Sequence, residues 1–302
     1  MPFRVTDSSV SARLAAQIGV ARQRNLRAQE QVSSGRRINR PSDDPSGAAD
    51  VIRLRTSQAA VDQFRRTATA ANDVLLLSDN TLDSYQVSLD RVRTLMTQGA
   101  SDITTPEERQ LIAVEIESLR TQMLAIANSQ RDGRYLFGGT RQDAPPFDPT
   151  TGAPSAVPAT DQLMQLEPDA APTPISVTAE TVFADTSGTI FDELSNVAAA
   201  LRGTGDPVAD RATVLNGMQR LDTFITQASV ARTRIGSSIN IAQAATSRLE
   251  QTSLSLESSA QQIEAADFVE AAVQLTESAR ALDAVIQSAG YLNRRSLLDI
   301  LG

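Results

Sequence analysis

The residue types best suited to chemistry in this chain are two pairs of adjacent carboxylates, Asp43-Asp44 and Glu107-Glu108. Paired carboxylates supply the oxygen ligands of a divalent cation or the two groups of an acid–base catalyst. Each pair, however, lies beside a proline that favours the first turn of a helix, Pro45 or Pro106. Asp44 suits an N-cap, and Thr105 followed by Glu108 has the pattern of a capping box. Helix capping therefore explains both pairs, and the sequence predicts no metal or catalytic site there.

The composition excludes most other catalytic groups. The chain contains no Cys and no His, and all 28 of its basic residues are Arg. Cysteine nucleophiles, histidine bases, the usual zinc sites and Schiff-base lysines are therefore excluded. The net charge of −8 argues against a nucleic-acid binder. We expect a protein that is not an enzyme, with no cofactor, no metal, no nucleic-acid partner and no small-molecule substrate.

A cluster of arginines lies in the polar stretch 33–47, which Gly35 opens. Arg36, Arg37 and Arg40 carry enough positive charge to bind a polyanion. Acidic residues flank them and the whole chain is negative, so a solvated or salt-bridging role is the favoured interpretation. Binding of a polyanion is the alternative.

The elements that position these residues are long helices. From Ala48 to Gln98 the chain has no Gly and no Pro, so nothing obliges a helix to end. Apolar or small residues recur there at alternating spacings of four and three, which predicts the seam of a coiled coil. The seam residues are Leu54, Ser57, Val61, Phe64, Ala68, Ala71, Leu75, Ser78, Leu82, Tyr85, Leu89, Val92 and Met96.

Both ends of the chain carry shorter segments with the same spacing. The N-terminal one, at about 10–32, has the stripe Leu14, Ile18, Ala21, Asn25, Ala28 and Val32. Near the C-terminus a register that begins at Ile235 and runs to Ile263 is interrupted at 264–267. A new register follows with Phe268, Leu275, Leu282 and Ala289, and such a phase change marks a bend or a new packing partner.

The N-terminal stripe is short and weakly apolar, so two interpretations are open. It is either a helix packed on its own chain or a helix that becomes ordered against other subunits. We predict assembly contacts on both terminal segments, at Leu14, Ile18, Ala21, Ala28, Val32, Phe268, Leu275, Leu282, Ala289, Leu292, Leu298 and Leu301.

The middle of the chain combines short helices with strand signals. A second helix is expected from the capping box to about residue 129, antiparallel to the end of the long helix. The Asp-Gly at 132–133 predicts a β-hairpin. Eight of the 13 prolines lie between Pro145 and Pro174, and 162–165 and 175–183 alternate like strands. We expect a small β-rich insertion at 141–185, with proline-rich disorder as the alternative. Helices are predicted again at 191–201 and after an Asp206 cap.

Two short motifs of this chain resemble the terminal signatures of the flagellin superfamily. Residues 33–39 (SSGRRIN) with 42–44 (SDD) resemble the N-terminal signature, and 263–268 (IEAADF) the C-terminal one. Within the superfamily, the branch that joins hook to filament is favoured over filament flagellins. The features that favour it are 41–45 (PSDDP), 134–140 (RYLFGGT) and the ending SLLDIL at 296–301. The resemblance covers about 10–140 and 190–302.

The resemblance implies a mainly α fold, an elongated helical bundle that pairs the N- and C-terminal segments around a small β-rich insertion. Three domains are implied. A terminal coiled-coil assembly domain, disordered in the free monomer, comprises 1–44 with 265–302. A helical bundle with a β-hairpin comprises 45–140 with 186–264, and an outer insertion comprises 141–185.

The implied function is a structural ring at the hook–filament junction of the extracellular flagellum. The implied partners are other copies of the chain, hook-associated protein 1, flagellin, an export chaperone and the type III export apparatus. This route agrees with an N-terminus that lacks the apolar core of a cleaved signal peptide. Two alternatives are kept: a filament flagellin, and a type III secreted coiled-coil translocator or tip protein.

Overall fold

Most of the described chain is helical. The computed structural model describes the backbone of residues 3–301 and the side chains of residues 9 and 12–290. The predicted mainly α fold is confirmed. The helices are α1 (Phe3–Ser34), α2 (Pro45–Gly99), α3 (Pro106–Ala127), α4 (Ala179–Phe183), α5 (Ile190–Arg202), α6 (Pro207–Glu264) and α7 (Phe268–Leu301). The strands are β1 (Gln130–Arg131), β2 (Arg134–Tyr135), β3 (Leu163–Met164), β4 (Thr173–Pro174), β5 (Ala184–Asp185) and β6 (Gly188–Thr189).

The strands form three separate two-stranded antiparallel sheets: β1 with β2, β3 with β4, and β5 with β6. In the first, Arg131 lies opposite Arg134, so the predicted hairpin at 131–134 is confirmed. Its turn residues Asp132 and Gly133 both have positive φ, at 53° and 76°. Such a conformation is the one that a two-residue Asp-Gly turn provides.

The helix starts follow the capping residues of the sequence. The Thr105 side chain accepts the Glu108 N–H, and the Glu108 carboxylate accepts the Thr105 N–H, which confirms the capping box of α3. Asp44 Oδ1 accepts the Gly47 N–H at 3.0 Å at the start of α2. Asp206 Oδ1 accepts two N–H groups of the first turn of α6. Asp267 does the same for α7, directly after the predicted break.

The chain divides into two compact units. Unit 1 comprises residues 1–61 and 251–302, so it holds α1, α7 and the adjoining ends of α2 and α6. Unit 2 comprises residues 62–250.

The core of unit 2 is the buried part of the predicted seam of α2. Leu75, Leu82 and Leu89 are each no more than 1% exposed, whereas Leu54 and Val61, in unit 1, are half-buried. Arg232 of α6 binds this helix through Asp79, Asp83 and Gln86, with N–O distances of 3.0, 2.8 and 2.6 Å. The Gln86 amide also donates to Ser229, so α2 and α6 run antiparallel side by side here.

Five aromatic side chains from different segments converge in unit 2. The Phe183 ring lies 4.5 Å from Tyr85 and 5.6 Å from Phe137, centroid to centroid, and Phe147 lies 5.0 Å from Phe191. All five are fully buried. This cluster anchors the insertion on the helices, because Phe147 and Phe183 belong to the segment between β2 and α5.

The expectation of a strand over 175–183 is wrong for its second half. Residues 179–183 form α4, and only the first residues extend the pairing of β4, where the Ile175 N–H donates to the Gln162 carbonyl at 2.8 Å. Ala179, Val182 and Phe183 are buried together. Their spacing of three and four places them on one side of a helix, and the aromatic core that receives Phe183 favours this over a strand.

Candidate assembly site

The two terminal helices pack on each other in unit 1. α1 and α7 run antiparallel, and the Asn25 side chain of α1 donates to Ser278 Oγ of α7 at 3.3 Å. Asn25 is 9% exposed. A single polar pair of this kind inside an apolar seam specifies register at some cost in stability. Of the two interpretations that the sequence leaves open, packing of the terminal helix on its own chain is the one seen here, and ordering against other subunits stays a prediction.

The predicted assembly residues differ in burial. Among the nine whose side chains the structure describes, one is buried, Ala28, and seven are half-buried: Leu14, Ile18, Ala21, Val32, Leu275, Leu282 and Ala289. Phe268 is 66% exposed and lies outside the seam between the two helices. The side chains of Leu292, Leu298 and Leu301 lie outside the described residues. For all twelve predicted residues, a role in assembly stays a prediction.

Several apolar side chains of unit 1 face outward at positions that the 4-3 pattern does not select. They are Val20, Leu26, Ile52, Leu254, Val269, Val273 and Ile286, and each is between 49% and 72% exposed. Sequence reasoning missed them because it looked only for residues in register. The signal for them was present as apolar residues that fall between seam positions.

A backbone clasp, formed by residues 35–37 and 264–266, joins the end of α1 to the break between α6 and α7. The Arg37 N–H donates to the Glu264 carbonyl at 2.7 Å, and the Ala266 N–H donates to the Gly35 carbonyl at 3.0 Å. Arg36 and Ala265 form an isolated antiparallel bridge. Gly35 has φ +68°, a conformation that glycine adopts without strain.

Side chains reinforce this clasp. The Glu264 carboxylate accepts Arg55 at 2.7 Å and lies 3.4 Å from Arg36, while its side chain is only 12% exposed. Arg37 donates to the Ile263 carbonyl at 3.0 Å and to Asp44 Oδ2 at 3.1 Å. These contacts connect the cap of α2 with the end of α6 inside unit 1.

The arginine cluster is an ion-pairing cluster, as the sequence favoured. Arg36 pairs with Glu264, Arg37 with Asp44, and Arg40 with Glu30. Hydrogen bonds from the Gly47 N–H, from Ser46 and from Arg37 lower the pKa of Asp44 to about 2. An arginine already paired with a carboxylate has little charge left for a polyanion.

Fold and site together define a class: a mostly helical protein whose terminal helices pair in one unit. Its described residues contain no group of three or more side chains that could hold a metal ion. None of the described helices combines the length and apolar character needed to cross a membrane.

Two family models match the chain, the bacterial flagellin N-terminal helical region at residues 8–142 and the bacterial flagellin C-terminal helical region at residues 218–301. Together they cover most of the chain, and the chain belongs to the bacterial flagellin family. This is a family of structural flagellar proteins and not of enzymes.

Flagellar hook-associated protein 3 of Salmonella typhimurium is 30% identical over 124 residues, 41% of this chain and 39% of that protein. The chain thus matches about two fifths of the length of this relative. A flagellin of Listeria monocytogenes is 24% identical over 253 residues, 83% of this chain and 82% of that protein. A solved structure from Vibrio parahaemolyticus, assigned as a flagellar hook-associated protein, has a TM-score of 0.67 at 20% identity. It covers 74% of this chain and 100% of its own, and it shows the same fold.

Proposed function

We propose that this chain is a structural protein of the hook–filament junction, corresponding to hook-associated protein 3. Copies of it would form a ring between hook-associated protein 1 and the flagellin filament. The observation that carries the proposal is the incomplete burial of the terminal helices. In the pair that α1 and α7 make, four seam side chains are only half-buried: Leu14, Ile18, Leu275 and Leu282. The leucines of the unit 2 seam, by contrast, are fully buried.

The physical argument is that neighbouring copies complete this burial. At about 25 cal/mol per Å², covering roughly 200 Å² of apolar surface per helix gives about 5 kcal/mol. That offsets part of the entropy lost when a terminal helix is ordered, and it is available only in the assembly. Ordering of the terminal segments is therefore coupled to ring formation.

The division of labour along the chain follows from this role. Residues 1–44 and 265–302 would be the assembly domain, 45–140 and 186–264 the bundle that spaces the copies, and 141–185 the outer insertion. The chain would leave the cell through the type III export apparatus, held by an export chaperone, and act in the extracellular flagellum. The similarity to flagellar hook-associated protein 3 of Salmonella typhimurium supports this proposal.

A filament flagellin is the second candidate, and a specific observation favours it. The Listeria flagellin matches 83% of this chain, twice the share that the hook-associated relative matches. Purified flagellin would polymerise by itself into long filaments. A junction protein would stay unpolymerised until it meets hook-associated protein 1. A type III secreted translocator finds less support, because both flagellin regions match in order.

The location of the chain tests the proposal directly. The natural sequence has no Cys, so Val157→Cys, at a 57% exposed position of the insertion, introduces a unique thiol for maleimide–gold. The variant is expressed in cells that lack their own copy of the gene, and the unsubstituted chain is the labelling control. We expect one band of gold where hook meets filament. Gold along the whole filament would establish the flagellin instead, and unlabelled flagella would contradict both.

A further inference from the structure

One outer stripe of α1 is strongly basic. The described side chains of this helix include four arginines, Arg13, Arg22, Arg24 and Arg27, against one acid, Glu30. The stripe consists of residues that lie one position before a seam residue, and so about 100° round the helix from the seam. Its members are Arg13, Val20, Arg24 and Arg27. All four are exposed, and Val20 is 52% exposed.

The corresponding outer stripe of α7 is acidic. Glu270, Gln274 and Glu277 each stand one residue before Ala271, Leu275 or Ser278, which face α1, and all three are exposed. Val273 lies beside them and is 52% exposed. Arg280 follows one turn later, which confines the acidic stripe to 270–277.

These opposite charges do not meet within one chain. Among the described residues, Arg24, Arg27 and Glu277 form no ion pair or hydrogen bond through their side chains, and Glu270 accepts only the Gln274 amide at 3.1 Å. Since α1 and α7 already lie side by side through their seam, the two stripes are left for something outside the chain.

We infer that the basic stripe of α1 in one copy docks on the acidic stripe of α7 in the next copy. This rests on the proposed ring. Charge complementarity selects this occupant: α1 against α1 or α7 against α7 would bring like charges together. In the ring each copy uses its α1 stripe on one neighbour and its α7 stripe on the other, which makes the contact heterologous, and such contacts generate rings or helical arrays. At the centre of this contact, Val20 and Val273 supply apolar area, and the charges set the orientation of one copy on the next.

Charge reversal with rescue tests the docking. The full chain is expressed in cells lacking the gene, and its amount in sheared flagella is measured. Arg24→Glu with Arg27→Glu, or Glu270→Arg with Glu277→Arg, should lower incorporation at least tenfold. The fourfold variant that carries all these changes should recover most of it, since the stripes are again complementary. The matched controls, Arg22→Glu on α1 and Asp283→Arg on α7, change exposed charges outside the stripes and should incorporate normally.

Cross-linking gives a second measurement that does not depend on charge reversal. Val20→Cys and Val273→Cys are co-expressed on separate chains, and the flagella are oxidised. We expect disulfide-linked dimers that contain one chain of each kind.

The outcomes separate the two proposals. If the natural chain restores no flagellar attachment and is absent from flagella, the junction function is wrong. If it is incorporated but the reversals have no effect, or the fourfold variant is no better than either pair, the docking inference alone is overturned. Flagella that carry both cysteine variants but no mixed dimer would overturn it as well.

Discussion

The Tyr85 side chain shows how a single residue limits the stability of unit 2. It is fully buried, and its hydroxyl has no hydrogen-bond partner among the described residues. Burial without a partner raises the pKa of this phenol well above its usual range. The ring itself packs 4.5 Å from Phe183, so the apolar part of the side chain stabilises the core while the hydroxyl opposes it.

Tyr85→Phe should therefore stabilise the protein. The substitution keeps the ring and removes a buried unsatisfied hydroxyl, so we expect the free energy of unfolding to rise by about 1 kcal/mol. Urea denaturation followed by circular dichroism measures this. Tyr135→Phe, at a half-buried tyrosine, is the control and should change little. A loss of stability in Tyr85→Phe would mean that the hydroxyl has a partner after all.

Asp44 makes unit 1 sensitive to acid. Its folded pKa, about 2, lies below the ordinary value of 3.8, so its stabilising contribution is complete above about pH 4 and is lost as the pH falls toward 2. Asp44→Asn retains a capping side chain that does not titrate. The helical signal of the natural chain minus that of the variant should therefore decline over this interval. A difference curve that stays flat between about pH 4 and about pH 2 would show that the cap of α2 does not respond to pH.

At the scale of whole elements, the sequence predicted what local chemistry decides. The ends of α2, α3, α6 and α7 depend on caps, prolines and the break at 265–267, all of which act within a few residues. The 4-3 pattern predicted the buried leucines of α2 for the same reason. The ion pairs of Arg37 and Arg40 agree with the favoured interpretation, because the carboxylates that they bind, Asp44 and Glu30, lie 7 and 10 positions away in the sequence.

What depends on distant segments was not predictable. The helix α4 forms where Phe183 enters a cluster with Tyr85 and Phe191, and no local pattern shows that these rings meet. Glu264 binds Arg36 and Arg55, more than 200 positions away in sequence. The exposure of Phe268 was missed because the new register was assumed to begin at the first residue of α7.

The seam of α2 is the element on which unit 2 depends. Leu82→Asp places an unpaired charge at a position that is 0% exposed, and such a change costs more than about 4 kcal/mol. We expect the thermal transition of unit 2 to fall sharply or vanish, and the same holds for Leu75 and Leu89. Val87→Asp on the same helix, at a 64% exposed position, is the matched control. An unchanged melt of Leu82→Asp would refute the seam.

At the scale of the whole molecule, the two units have different requirements. Unit 2 contains the sealed seam, the aromatic cluster and the Arg232 network, all between residues 62 and 250. Unit 1 takes its contacts from both ends of the chain, so removal of either end leaves the other without its partner. We therefore expect folding of unit 2 and the proposed assembly to be separable functions of one sequence.

Deletion of residues 268–302 should separate them. The truncated chain lacks α7, so α1 loses the Asn25–Ser278 contact and the seam around it, while every contact within unit 2 is retained. Limited proteolysis with mass spectrometry should yield the same resistant fragment, about residues 62–250, from the truncated and the full-length chain. In cells lacking the gene, only the full-length chain should appear in sheared flagella. Incorporation of the truncated chain would show that α7 is dispensable for assembly, and loss of the resistant fragment would show that unit 2 needs α7 to fold.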